Sequence, residues 1–296
     1  VPQRLAILPF PNTVPVPLGA KKRTDNKVWM SSYTGANQVA LGVPSWIDPK
    51  AKAHWTAPTA TNNDIFSVYN TDRFALLKAI SQPWYGCLEA RRGPDHDVSG
   101  DAPGTVSTNY VPYFAPDDPG DANTTGTYFN SYLRDKSASS DWKVKLRDVT
   151  KYTGSITSGA VPTSKLGSTY GKPYNTGPNM GAELAPMMAQ TADFQAIKNV
   201  ITDMNAMGET NISLGLAWGW NIVSQPVPFT DGAPYDANNK RPKKAIVLMT
   251  DGANTMKMDP GGTHSNSATS TQADGYTKEL CANIKARDVV IYVVGL

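Results

Sequence analysis

The sequence predicts an α/β fold in which a doubly wound, mostly parallel sheet carries a long irregular insertion. Two short runs of branched apolar residues, 244–250 and 289–294, are typical of buried strands. Helical periodicity precedes each run, and alternating helices and strands indicate a parallel sheet. Residues 88–185 are instead rich in Gly, Pro, Ser, Thr, Asp and Tyr with weak periodicity, which predicts an inserted lobe.

Composition limits the classes of function. The 296 residues are 40% hydrophobic, enough for a core, and 18% charged with a net charge of +3. No long basic run stands out, so nucleic acid is not an expected partner. No stretch of about 18 apolar residues is present in the sequence. Strand-like residues lie close to both ends, so we expect a segment of a longer chain that lacks the first strand of its sheet.

The first part of the predicted core, residues 1–87, contains a strand, an edge hairpin and a helix. The strand is predicted at Arg4–Phe10, and Lys27–Ser31 with Asn37–Val43 form the edge pair. The helix is predicted at Asp72–Ser81, with Asn70 or Thr71 as its N-cap. The inserted lobe then occupies residues 88–185.

The second part of the core, residues 186–296, contains three predicted helices. Phe194 to Met207 show spacings of three and four, with Thr191 as N-cap and Gly208 as the stop. The next helix, Ser213–Ser224, is apolar on most sides and should be well buried. After a polar loop over Met256–Asp274, the third helix carries Tyr276, Leu280 and Ile284 on one face.

A candidate ligand site follows the strand at 244–250, which ends in Thr250-Asp251-Gly252. Carboxylates at the carboxyl ends of strands in open α/β sheets lie where ligands bind. A polar loop from Gly208 leads into a helix about 40 residues earlier and supplies a second element. An ordinary turn, in which the aspartate accepts backbone hydrogen bonds, is the structural alternative.

Other site chemistries have weaker support. His54, His96 and His264 are scattered, with no Cys or His at zinc spacing. The paired acids Asp117-Asp118 lie in a Pro-rich stretch with no local feature that favours acid–base work. Cys87 and Cys281 could form a disulfide if the protein is exported, and two separate buried thiols are the alternative.

An ordered set of motifs resembles the von Willebrand factor A region of TadG-like proteins, which belong to bacterial Tad (tight adherence) pilus assembly. The set includes Ser45-Trp46-Ile47-Asp48, Trp84-Tyr85-Gly86-Cys87, Val111 to Asp118, Gly208-Glu209-Thr210-Asn211-Ile212, Trp218-Gly219-Trp220, Pro228 to Gly232, Val247 to Gly252 and Cys281 to Lys285. Each motif is weak alone, but their order is specific and covers nearly the whole chain.

The resemblance implies a von Willebrand A, Rossmann-like fold with a divalent-cation site, called MIDAS, at the top of its sheet. Thr210 and Asp251 match two of its three loops, with Gly252, Asn211 and Asn254 in supporting positions. Mg²⁺ or Ca²⁺ is the implied cofactor. The first loop, Asp-x-Ser-x-Ser, does not occur in this sequence, and in the family it precedes the region that starts at Val1. Met180-Gly181-Ala182-Glu183 also replaces an expected family cysteine.

The resemblance further implies a non-catalytic binding or assembly protein of a Tad-type pilus or cell surface, whose partners are proteins. Such a protein is exported and is periplasmic or on the cell surface, with the membrane reached only through an N-terminal anchor of the parent chain. One alternative is a metal-assisted hydrolase that uses Asp251. Another is a metal-free structural subunit of a surface filament.

Overall fold

The computed structural model shows mixed helix and strand with a small parallel sheet. It describes residues 14–15, 47–50, 71–82, 84, 87–89, 109–120, 130–153, 177–179, 187–188, 190–204, 210–224, 233–234, 236, 238, 240–250, 253–254 and 267–295. The strands predicted at Arg4–Phe10, Lys27–Ser31 and Asn37–Val43 lie outside these residues.

A three-stranded antiparallel sheet was not predicted. Its strands are β1 (Val14–Pro15), β2 (Cys87–Glu89) and β3 (Val111–Pro112), in that order across the sheet. Leu88 lies opposite Val14 on one side and Pro112 on the other. The predicted boundary between residues 87 and 88 therefore falls inside β2, and the segment assigned to the lobe supplies β3.

Helix α1 (Arg73–Ala79) confirms the first predicted helix with a corrected cap. The N-cap is Asp72, whose Oδ1 accepts hydrogen bonds from Phe74 N at 2.9 Å and from Ala75 N at 3.1 Å. The prediction of Asn70 or Thr71 was therefore wrong by one or two residues, because a carboxylate at residue 72 reaches both free amides. The apolar side of the helix is buried in the core.

Helix α2 (Trp142–Arg147) and a 3₁₀ turn at Val149–Lys151 lie within the predicted lobe.

Helix α3 (Phe194–Asp203) follows, with Asp193 as its N-cap in place of the predicted Thr191. The Thr191 hydroxyl instead accepts a hydrogen bond from Asp193 N at 3.0 Å and so supports the capping residue. Ile197 is buried, but Phe194 and Ile201 are exposed, so the predicted apolar face is only partly covered.

Helix α4 (Ile212–Ser224) confirms the predicted buried helix, since residues 212–218 and 220–222 are all buried. Helix α5 (Ser267–Ala286) confirms the third helix and its buried face at Leu280 and Ile284. The prediction of a loop up to Asp274 was wrong, because α5 already begins at Ser267. Its first turns are rich in Ser and Thr and carry no apolar periodicity from which a helix is recognised.

The parallel sheet consists of β4 (Ala245–Thr250) and β5 (Val290–Gly295), which pair in register from Ala245 opposite Val290 to Thr250 opposite Gly295. Both strands agree with the predicted positions to within one residue. Helix α4 packs on one face of the sheet, where Ile246 and Leu248 are buried.

The opposite face of this sheet is apolar and exposed. Val247, Met249 and Tyr292 are 59%, 53% and 59% exposed. The strand predicted to be buried at 244–250 is therefore buried on one face, at Ile246 and Leu248, and exposed on the other. Helices α4 and α5 contact β4 and β5, respectively.

One hydrophobic core joins residues from the whole length of the described chain. It contains Ile47, Leu77, Tyr110, Trp218 and Ile284 among its members. The rings of Tyr110 and Trp218 stack with centroids 5.2 Å apart, so the predicted lobe packs directly against α4. No helix within the described ranges combines the length and the hydropathy needed to cross a membrane.

Candidate functional site

The candidate site lies where β4 ends and α4 begins. Strand β4 ends at Thr250, and α4 begins at Ile212, so the predicted loops flank the carboxyl end of the strand and the amino end of the helix. A helix N-terminus presents backbone N–H groups that need acceptors. The side chains of these two loops decide how those groups are satisfied.

Asn254 connects the loop after β4 to both neighbouring helices. Its Oδ1 accepts a hydrogen bond from Ile212 N at 2.9 Å. Its Nδ2 donates to Asp274 Oδ1 at 2.8 Å and, more weakly, to Thr277 Oγ1 at 3.4 Å. The side chain is buried, and three elements therefore meet at one amide group.

Asn211 caps the same helix from within its own loop. Its Oδ1 accepts hydrogen bonds from Leu214 N at 3.1 Å and from the Ser213 hydroxyl at 3.0 Å. Asn211 is buried, so losing this acceptor would leave the Leu214 amide without its cap. Both asparagines that the sequence placed in supporting positions thus organise the start of α4.

The structure describes only one of the two predicted cation ligands. Thr210 is partly buried and directly precedes Asn211, at the entry to α4. Asp251 and Gly252 lie outside the described residues, between Thr250 at the end of β4 and Ala253. The hydrogen bond from Ile212 to Asn254 joins positions two residues after Thr210 and three residues after Asp251. The segment after Thr210 and the segment after the predicted ligand Asp251 are therefore neighbours at Ile212 and Asn254.

The chemistry of these residues suits a hard cation. A threonine hydroxyl and a carboxylate both offer oxygen, the ligand that Mg²⁺ and Ca²⁺ prefer. Over the described parts of the chain, no group of three or more His, Cys, Asp or Glu side chains is placed to hold a metal ion. The oxygen ligands that the sequence predicts for a cation here are Thr210 and Asp251.

Cys281 is a free cysteine, half buried in α5. Burial raises the pKa of its thiol, and the nearby Lys285 ammonium partly offsets this effect. The structure thus contains Cys281 as a separate thiol, one of the two alternatives that the sequence left open. Cys87 lies in β2.

A second polar cluster, around Asp117, was not found from the sequence. Asp117 and Lys151 form an ion pair with Nζ and Oδ2 2.7 Å apart, and both side chains are fully buried. The residues that neighbour Asp117 in the sequence form a Pro-rich stretch and show no sign of this environment. The lysine is 34 residues further along the chain, and only folding brings the two together.

The aromatic residues of the predicted lobe differ in their burial. Tyr110 and Tyr132 are fully buried in the core of the molecule, whereas Trp142 is exposed.

Comparison with known proteins adds nothing to this site, since no family model, curated protein or solved structure matches the chain.

Proposed function

We propose that this chain is a TadG-like von Willebrand A module that binds a protein partner through a divalent cation, in Tad-type pilus assembly or at the cell surface. The proposal rests on the ordered motifs of the sequence and on the architecture around α4. In the full-length parent the module is exported, periplasmic or on the cell surface, and anchored to the membrane.

The observation that carries the proposal is the hydrogen bond from Ile212 N to Asn254 Oδ1. It ties the Thr210 loop to the loop that follows Asp251, although 42 residues separate the bonded pair. Two oxygen donors on adjacent loops are what a cation pocket at this edge of a sheet requires. Thr210 would bind the ion directly or through water, and Asp251 would do so directly or behind a water molecule.

The parallel pairing of β4 and β5 supports a doubly wound sheet. Parallel sheets normally have both faces covered, and here one face carries α4 while the other exposes Val247, Met249 and Tyr292. These exposed apolar side chains suit a second helical layer of the kind found in von Willebrand A folds. Their presence therefore favours the proposed fold over a small two-layer α/β arrangement.

A bound cation would offer an open coordination position to a carboxylate of the partner. The chain's own residues would hold the ion and set the position of the loops around it. Asn211 and Asn254 fix the start of α4 and hence the position of Thr210. Binding of this kind involves no turnover.

Isothermal titration calorimetry with Mg²⁺ and with Ca²⁺ tests the proposal. We expect a one-to-one binding heat for at least one of the two ions, and a higher melting temperature when that ion is in excess, because a ligand of the native state stabilises it. Thr210→Ala and Asp251→Ala should each reduce the affinity at least tenfold. Thr202→Ala and Asp236→Ala change exposed residues outside the two predicted ligand loops and should leave the affinity unchanged.

Each of the other possible results supports a different function or a different position of the ion. Absence of both heat and a melting shift in the wild-type chain would favour the metal-free filament subunit. Mg²⁺-dependent hydrolysis that disappears in Asp251→Ala would favour the hydrolase. Equal affinities in the site variants and the control variants would move the ion away from Thr210 and Asp251.

A further inference from the structure

Three segments of the chain converge on the buried pair formed by Asp117 and Lys151. Asp117 follows β3, Lys151 ends the 3₁₀ turn, and the stretch around Tyr132 packs between them. Both charged side chains have 0% exposure. Burial of an ion pair away from water costs free energy, so such a site favours any state in which the two charges disappear.

The surroundings of the pair are mostly aromatic. The Tyr152 ring lies 5.7 Å from that of Phe114 and 6.4 Å from that of Tyr132, measured between centroids. Burial raises the pKa of the Asp117 carboxyl to about 6, although Lys151 and the backbone hydrogen bonds act in the opposite direction. This carboxyl therefore takes up a proton more readily than an ordinary aspartate does.

The two oxygens of Asp117 have different environments. Oδ1 accepts hydrogen bonds from Tyr132 N and Leu133 N, each at 2.6 Å. Two backbone N–H groups on one carbonyl oxygen polarise the carbon and stabilise negative charge on that oxygen, as in the oxyanion hole of acyl-transfer sites. The same bonds would be retained if Oδ1 became an amide oxygen.

Oδ2 has an arrangement suited to a leaving group. It lies 2.7 Å from Lys151 Nζ, yet within the described residues no donor reaches it with the angles of a hydrogen bond. Lys151 Nζ donates instead to the main-chain carbonyl of Asp117 at 2.9 Å. The amine is thus held beside the carboxyl group, while Oδ2 accepts no hydrogen bond within the described residues.

We propose that Lys151 and Asp117 become joined by an intramolecular isopeptide bond. The neutral Lys151 amine attacks Cγ of the protonated Asp117 carboxyl, a bond forms between Nζ and Cγ, and the bond between Cγ and Oδ2 breaks. Starting from the ammonium and the carboxylate, two protons leave Nζ with Oδ2 as one water molecule, and one hydrogen remains on the amide nitrogen. The reaction needs no oxidant, reductant or other reactant.

Asp118, the next residue along the chain, is held beside the pair by its own hydrogen bond. Its Oδ2 accepts a hydrogen bond from Asn130 N at 2.8 Å, which fixes the carboxyl group. Burial raises the pKa of this carboxyl, and the hydrogen bond from Asn130 N and the charge of Lys151 partly offset that rise.

The bond would join two residues 34 positions apart in the chain and fix the three segments around one covalent link. Such a link resists extension of the chain in a way that an ion pair does not. It would also remove two buried charges from the core. A protein that bears load at a surface would gain from both effects, but the inference does not depend on the proposed function.

Intact mass spectrometry of the denatured full chain tests this inference. We expect the wild-type mass to be lower than the sequence mass by one water molecule. After trypsin digestion, the peptide Gly93–Arg134 should be linked to the peptide Asp148–Lys165, since trypsin does not cleave at an acylated Lys151. Lys151→Arg and Asp117→Ala should both have the full sequence mass.

Lys145→Arg is the matched control. Lys145 pairs with Asp135 at 3.1 Å, but its side chain is 29% exposed, so this variant should keep the water loss and the linked peptides. The wild-type measurement is informative even if the Asp117 and Lys151 variants fail to fold. A wild-type chain of full sequence mass would overturn the inference, as would a water loss without the linked peptide pair.

Discussion

At the scale of single residues, the start of α4 depends on two buried asparagine side chains. Asn211 caps the helix from its own loop, and Asn254 reaches the same helix from the loop after β4. Asn254 also donates to Asp274 on α5, so it uses both ends of its amide group. No aliphatic side chain can replace these contacts.

Replacing Asn254 by alanine should therefore destabilise the fold by about 1–3 kcal/mol, because the buried amide of Ile212 loses its acceptor. Urea unfolding followed by circular dichroism measures the change. Asn199→Ala is the control, since Asn199 is exposed on α3 and bonds only within its helix to Gln195 among the contacts described here. Equal losses in the two variants would contradict the bridging role of Asn254.

The sequence located some of these residues and missed others for a physical reason. Thr210, Asn211 and Asn254 belong to short polar motifs beside apolar runs. Such motifs can be recognised from neighbouring residues alone. Asp117 and Lys151 have no local signal, because their shared environment arises from long-range packing. An ion pair between distant residues cannot be predicted from the spacing of either one.

At the scale of elements, periodicity predicted the helices well and their ends less well. Helices α1, α3, α4 and α5 all occur at predicted positions, since each has apolar residues at helical spacing. The caps differ because several polar residues precede α1 and α3, and side-chain geometry decides among them. The parallel sheet was placed to within one residue, but its exposed face was not foreseen, because an apolar run does not show which face a helix covers.

The packing of α4 on β4 gives a test at this scale. A Cβ atom added at Gly219 would lie 3.4 Å from Ile246 Cγ2, at the limit of ordinary contact. Gly219→Ala should thus stabilise α4 by roughly 0.5–1 kcal/mol through helix propensity, whereas Gly219→Ile should destabilise the fold by about 1–3 kcal/mol through overpacking. Chemical denaturation of each variant measures these changes in the free energy of unfolding.

Gly275 on α5 is the control, since a Cβ atom there would meet nothing within 4 Å. Gly275→Ala should therefore gain about 1 kcal/mol, and Gly275→Ile should be tolerated much better than Gly219→Ile. If isoleucine had the same effect at both positions, α4 would not pack on Ile246 as the structure shows.

At the scale of the whole molecule, the described residues share one core. The predicted lobe contributes Tyr110, which stacks on Trp218 of α4, and Tyr132, which is fully buried in the same cluster. The antiparallel sheet also joins β3 from this segment to β1 and β2. Elements that share a core unfold together in most small domains.

We therefore expect one cooperative unfolding transition. Tryptophan fluorescence and far-ultraviolet circular dichroism, recorded in the same urea titration, should give coincident midpoints. Tyr110→Ala should shift both midpoints to lower urea by the same amount. Two separated transitions, with Tyr110→Ala affecting only one of them, would show that residues 88–185 fold as an independent unit.

The central claim is that the Thr210 and Asp251 loops form one cation pocket beside the start of α4. Paramagnetic broadening of amide NMR signals by Mn²⁺ tests it most directly, because the effect falls steeply with distance from the ion. The account predicts the strongest broadening at Thr210, Asn211 and Asn254, with reversal by excess Mg²⁺. Broadening confined to another region of the chain, or none at these amides, would contradict it.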